Sequence, residues 1–184
     1  MRKLLFMILL AASTCFGSTI TINSAPYGNY IGPYTATVDG IPNILVFCLD
    51  ENKSTNIGQQ YNGSYVPITT QQEQESAFLV AGALFAGGAQ EDRSLAIWFI
   101  MGTLEPSLTP MTDAANQFVV DAENAFTNHT IPSYVLENER IFVPNDNTVQ
   151  RFMTDPVPEP LTIWICATGL MFLGLFKRRK LVKV

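Results

Sequence analysis

Cys48, in the step Phe47-Cys48-Leu49-Asp50, is the one thiol in the middle of this 184-residue chain. A thiolate is a ready nucleophile, so this residue comes first in any search for chemistry. A second segment, Ser94-Leu95-Ala96-Ile97-Trp98, sets a hydroxyl and an indole four residues apart, one turn along a helix face. His129 is the only histidine, which rules out a histidine metal cluster and would hang any Ser-His-Asp triad on one ring. It follows a helical stripe, where a cation suits the helix dipole, and reads as a cap. Asp50-Glu51-Asn52 and Asn145-Asp146-Asn147 hold oxygen ligands but lack the EF-hand spacing, so both read as turns. Three cysteines are too few for a disulfide scaffold or a multi-cysteine zinc site. The residues therefore predict no catalytic set, no metal and no cofactor. Cys48 reads as a small buried hydrophobe and Trp98 as core.

Those residues need elements to position them. Thr19-Ile20-Thr21-Ile22 and Tyr34-Thr35-Ala36-Thr37-Val38 alternate as half-buried strands do. Asp39-Gly40 is a hairpin turn signal leading into Ile44-Leu45-Val46-Phe47-Cys48. Tyr65-Val66-Pro67-Ile68 reads as an edge strand, since Pro67 cannot donate to a ladder. The character changes at Thr70-Gln71-Gln72-Glu73, a capping box, with Phe78, Ala81 and Phe85 following at helical spacing until Gly87-Gly88. Asp92 to Met101 reads as a second, mostly buried helix. Thr112 caps a third with its stripe at Ala115, Phe118, Val119, Ala122 and Phe126. Tyr134-Val135-Leu136 and Ile141-Phe142-Val143 read as a late hairpin around Asn138. The expected fold is α+β over residues 18–145: β-sandwich-like strands, a three-helix segment, then the hairpin. A polar linker is expected over 146–156.

Charge is unevenly spread. Between Ser18 and Asp155, four basic residues against fifteen acidic ones leave −11, while seven of the eleven Lys and Arg lie toward the two ends. A body so acidic excludes nucleic acid as a partner, because it cannot neutralise phosphates. Met1-Arg2-Lys3 precedes nine apolar residues and then Ser13-Thr14-Cys15-Phe16-Gly17, the arrangement of a secretory signal peptide over residues 1–17. Leu161 to Phe176 is uncharged for sixteen residues, roughly 24 Å of helix, slightly short of a ~30 Å hydrocarbon core. Lys177, Arg178, Arg179 and Lys180 follow it, and the positive-inside rule places them in the cytoplasm with the acidic body exported.

Val157-Pro158-Glu159-Pro160, this short span and the basic cluster, in that order, closely resemble the PEP-CTERM sorting signal, here over residues 157–180. That segment is also known as the ice-binding protein C-terminal domain. The resemblance implies a bacterial envelope protein, held in the inner membrane and then processed near the motif by an exosortase. The prolines keep the backbone extended and accessible at the membrane face. The ice-binding label brings no activity with it, since Thr19-Ile20-Thr21 and Thr35-Ala36-Thr37 stand isolated in the sequence. The expected product is a non-catalytic cell-surface or extracellular-matrix component, associated with exopolysaccharide.

Phe47-Cys48-Leu49-Asp50 and Ser94-to-Trp98 also resemble the thioester domains of bacterial surface adhesins. In those domains a cysteine and a glutamine condense to an internal thioester that captures a target covalently, which defines the alternative reading: a covalent adhesin using Cys48. The resemblance implies that the strand carrying Cys48 packs against the second helix. It places the glutamine four residues before the tryptophan, and here that position is Ser94. A hydroxyl has no carbonyl carbon for the sulfur to attack, so the resemblance implies the fold and argues against the bond.

Overall fold

The computed structural model describes residues 17–26, 32–86, 89–105 and 109–154. The expected leader before Gly17, the sorting motif, the membrane span and the basic cluster lie outside the described residues. Among the described residues, no helix is long and apolar enough to cross a membrane.

Alternation builds the first strands, β1 (Ser18–Ser24), β2 (Tyr34–Val38), β3 (Ile41–Cys48) and β4 (Gln60–Val66). Ile20, Ile22, Ala36 and Val38 are fully buried, while the threonines between them are only half-buried. Asp39 and Gly40 both take positive φ, 48° and 83°, which is what a two-residue type I′ hairpin turn demands. Among the described residues four helices follow: α1 (Gln71–Ala86), α2 (Gln90–Ile100), α3 (Asp113–Thr127) and α4 (Ser133–Asn138). Two late strands, β5 (Arg140–Pro144) and β6 (Phe152–Thr154), complete the described chain.

The six strands close into an antiparallel barrel in the order β1-β2-β3-β6-β5-β4. The interior holds Tyr34, Val46, Phe142 and Phe152 with the β1 and β2 apolar residues, and Leu95 and Trp98 of α2 pack into the same cluster. Gly63 of β4 makes room for it, because a Cβ there would lie 2.3 Å from the Val143 carbonyl oxygen and 2.7 Å from the Phe142 ring. A second cluster joins Phe47, Leu49, Ile141 and Met153 on the outward side of β3, β5 and β6 to α1, α2 and α3.

Two helix starts, at Thr70 and Thr112, are those the sequence signals describe. Thr70 Oγ1 accepts from Glu73 N at 3.2 Å, and Glu73 Oε2 accepts in return from Thr70 N at 2.9 Å, closing the capping box. Thr112 Oγ1 accepts from Ala115 N at 3.0 Å. Gly102, at φ 68°, ends α2 in a Schellman motif, with Thr103 N on Trp98 O and Gly102 N on Phe99 O.

Four expectations change. The strands form a closed barrel and not a sandwich, so Pro67 follows β4 directly and marks no free edge. Tyr134-Val135-Leu136 lies in the short helix α4, and β5 pairs with β4 and β6 instead of with that segment. The stretch expected as linker carries β6, buried throughout, because barrel closure needs a sixth strand between β3 and β5. Finally, α2 begins at Gln90, two residues before Asp92. The two Thr-x-Thr steps also prove to be neighbours, with Thr21 opposite Thr37 in the β1–β2 ladder.

Candidate functional site

The end of β3 and the adjoining face of α2 bring the two singled-out motifs together. Cys48 is an inward residue at the end of its strand and only 2% exposed, and it is a free thiol. Burial pushes the thiol well above its ordinary range, and the negative charge of Asp50 adds to this, while a hydrogen bond with Tyr34 works the other way. A thiol so held stays protonated near neutral pH and is a poor nucleophile. Trp98 Nε1 donates to the Cys48 carbonyl oxygen at 2.9 Å, so strand and helix are joined at the motif residues themselves. Thr103 Oγ1 donates to the Leu49 carbonyl oxygen at 2.9 Å, one residue on. Glu51 extends the seam, accepting from Glu105 N and, at 2.7 Å, from Thr109 Oγ1.

Ser94, also buried, donates its hydroxyl to Gln90 O at 3.1 Å, a bond within its own helix. Gln90 is inside the helix, yet its Nε2 donates to Ala83 O of α1 at 3.0 Å. Its carboxamide is thus engaged by the neighbouring helix, and its backbone lies about 12 Å along the axis from Trp98. Ser94 has no carbonyl carbon to offer Cys48, and the Gln90 carboxamide, about two helical turns from Trp98, is tied to α1 through its nitrogen.

Asp50, expected in a turn, is the strongest electrostatic feature of the site. Its carboxylate is 3% exposed and receives Arg151 through Nη2 at 2.6 Å, Nε at 3.0 Å and the backbone N at 2.9 Å. Lys53 Nζ lies 3.7 Å away. Burial alone would raise the Asp50 carboxyl, but the Arg151 bonds and the two positive charges outweigh it and hold the group below the usual carboxylate range. Leu49 N donates to Arg151 O at 2.9 Å, which seats the pair where β3 meets β6. Gln150 closes the same corner, donating to Lys53 O at 2.7 Å and accepting from Thr55 Oγ1 at 3.1 Å. Arg151 and Asp50 are about a hundred residues apart, and the sequence signal for the pair is slight: a lone basic residue in an acidic stretch.

The remaining candidates are structural. His129 sits at φ 54° just past α3, where its N bonds Phe126 O and Thr130 N bonds Ala125 O, a Schellman turn in which the ring is exposed. Asp146 accepts from Thr148 N and Oγ1, fixing a turn. Among the described residues, no group of three or more His, Cys, Asp or Glu could hold a metal ion. The site as a whole is a corner clamp, in which a buried carboxylate, an indole and a threonine fasten α2 and β6 to the end of β3.

No protein-family model and no curated protein matches the chain. Solved structures that resemble it include the N-terminal thioester domain of fibronectin-binding protein SfbI from Streptococcus pyogenes, at TM-score 0.47 and 8% identity over 79% of this chain and 96% of that one. The N-terminal domain of the Streptococcus pyogenes pilus tip adhesin Cpa gives TM-score 0.47 and 14% identity over 79% and 97%. The N-terminal thioester domain of a surface protein from Clostridium perfringens gives 0.45 and 12% over 76% and 98%. At these scores and identities the likeness carries no chemistry onto this chain.

Proposed function

We propose that the protein is an exported bacterial envelope component whose tail is an exosortase sorting signal, and whose barrel domain acts without catalysis at the cell surface or in the matrix, in association with exopolysaccharide. The observation that carries this reading is the ordered set of Val157-Pro158-Glu159-Pro160, the uncharged run from Leu161 to Phe176, and Lys177-Arg178-Arg179-Lys180. Each part has a physical role, as an extended substrate for a processing enzyme, a short span and a cytoplasmic anchor. Appending a C-terminal tag and fractionating cells with and without an exosortase tests it. The tag is expected to vanish only where the enzyme is present, and Glu159→Ala with Pro160→Ala is expected to leave an uncleaved membrane form. A tag that persists on the wild-type protein beside an active exosortase overturns the sorting reading.

The non-catalytic part is supported by the buried, protonated thiol and by the commitments of Ser94 and Gln90. Intact mass discriminates it from a covalent adhesin. A thioester lowers the mass by one ammonia, and methylamine then adds to the chain. The expected spectrum shows neither change.

A further inference from the structure

We infer that one rim of the barrel, made by Ser18, the Asp39-Gly40 turn, Val66, Arg140 and Thr154, faces the membrane surface while the tail is uncut. The opposite rim then points away from the bilayer. The inference rests on the membrane span proposed above and gives the domain an orientation on it. The register assembles this rim from all six strands. Ser18 pairs with Gly63 near the end of β4, and Thr19 N donates to Asp39 Oδ1 at 2.7 Å beside the β2–β3 turn. Val66, the last residue of β4, adjoins Ile141. Arg140 lies opposite Thr154, which in turn pairs with Val46 of β3. The chain therefore enters the barrel at β1 and leaves it at β6 by the same rim. The three longer connections between strands, 25–33, 49–59 and 145–151, all begin and end at the other rim.

Reach makes the orientation follow. Only Asp155 to Pro160 join Thr154 to the uncharged run that starts at Leu161. Fully extended, that stretch spans roughly 20 Å, of which the headgroup layer takes about 6 Å. Thr154 is thus held within about 14 Å of the headgroups. Turning the barrel over would set most of its length, about 15 Å for tilted strands of this size, between Thr154 and the surface. The three connections would add to that, and the tether would not reach. Neither flank brings Thr154 as close. β6 lies across the ring from β1, so the bare side made by β4, β1 and β2 is the farthest from it. On its own side α1 packs outside it, a helix about 10–12 Å across. The expected leader precedes Gly17 at the same rim, so export and anchoring hold the barrel by one end. The Asp50–Arg151 corner and the three connections form the end presented outward, where binding loops ordinarily lie.

The test is energy transfer from a labelled cysteine to a headgroup-labelled lipid. Full-length protein from a host without exosortase, carrying Cys15→Ala, Cys48→Ala and Cys166→Ala, is reconstituted in phosphatidylcholine vesicles. One new cysteine is then introduced and labelled at a time. Pro42→Cys and Pro67→Cys use exposed positions at the near rim, and Ile57→Cys and Asn147→Cys use exposed positions at the far one. Transfer is expected to be at least about twofold stronger from the near pair, because the rims stand about 15 Å apart. Two labels at each rim keep the comparison intact if one variant fails to fold. Equal transfer from both rims, or stronger transfer from the far pair, in vesicle-bound protein overturns the orientation and leaves the sorting reading standing. Protein that does not stay with the vesicles has no span, which overturns both.

Discussion

Strands β1, β2 and β4 keep water on their outer faces, whereas β5, β6 and the end of β3 lie between the barrel interior and the helices. The primary structure differs accordingly. In β1 and β2, threonines alternate with buried Ile, Ala and Val, as one-sided burial requires. Val46-Phe47-Cys48-Leu49 is buried without a break, and so is Phe152-Met153-Thr154. One side of the barrel is free to present polar groups, and the other holds the fold together. A substitution should therefore cost stability on the helix side and little on the bare side.

The largest test is Phe47→Ala, which empties a fully buried ring position between β3 and the helices. It should cost about 3–5 kcal/mol, read as a fall in the urea midpoint at unchanged slope. Next comes Asp50→Asn, which leaves the Arg151 guanidinium without its carboxylate at the β3–β6 corner. About 2 kcal/mol should be lost, because Asp50 is buried but the Arg151 guanidinium is part-exposed, so water offsets some of the cost of leaving it unpaired. The same variant has a pH signature. Because the folded carboxyl is held below its ordinary range, its stabilisation is complete above the unfolded pKa of about 4 and drains away as pH falls through the lower folded value. Acid titration monitored by circular dichroism should thus show part of the wild-type pH dependence missing from Asp50→Asn.

Cys48→Ala is a smaller probe of the same corner. It deletes one buried sulfur and leaves the backbone carbonyl that Trp98 binds, so about 1 kcal/mol is expected in thermal melts. The wild-type thiol should react slowly with a thiol reagent until the protein is unfolded. The smallest effect belongs to the bare side: Thr21→Ala should move stability by no more than about 0.5 kcal/mol in the same melts. A larger loss there, or a negligible one at Phe47, would erase the distinction between the two sides.

The division between local and global information follows the same line. The Asp39-Gly40 turn, the capping box at Thr70–Glu73 and the Thr112 cap are legible in the sequence, because each depends on residues within one turn of chain. The pairing of the Cys48 strand with the Trp98 helix is implied by the resemblance of the two motifs to thioester domains, and the Trp98–Cys48 hydrogen bond realises it. Gln90 is readable as a residue but not as a helical one. Its helix begins after Ala89 in a left-handed conformation, with no capping side chain to announce it.

By itself, the sequence determined the acidic body, the polar and apolar faces of β1 and β2, and the absence of a histidine metal cluster, since these follow from composition and period alone. Tertiary structure decided barrel against sandwich, because closure depends on three residues of β6 meeting β3 from about a hundred positions away. It turned Asp50 from a turn residue into the buried half of an ion pair. It also set Thr21 beside Thr37. Strand register and long-range ion pairs are contacts between distant segments, and a local pattern can state which face a residue prefers but not what it will meet there.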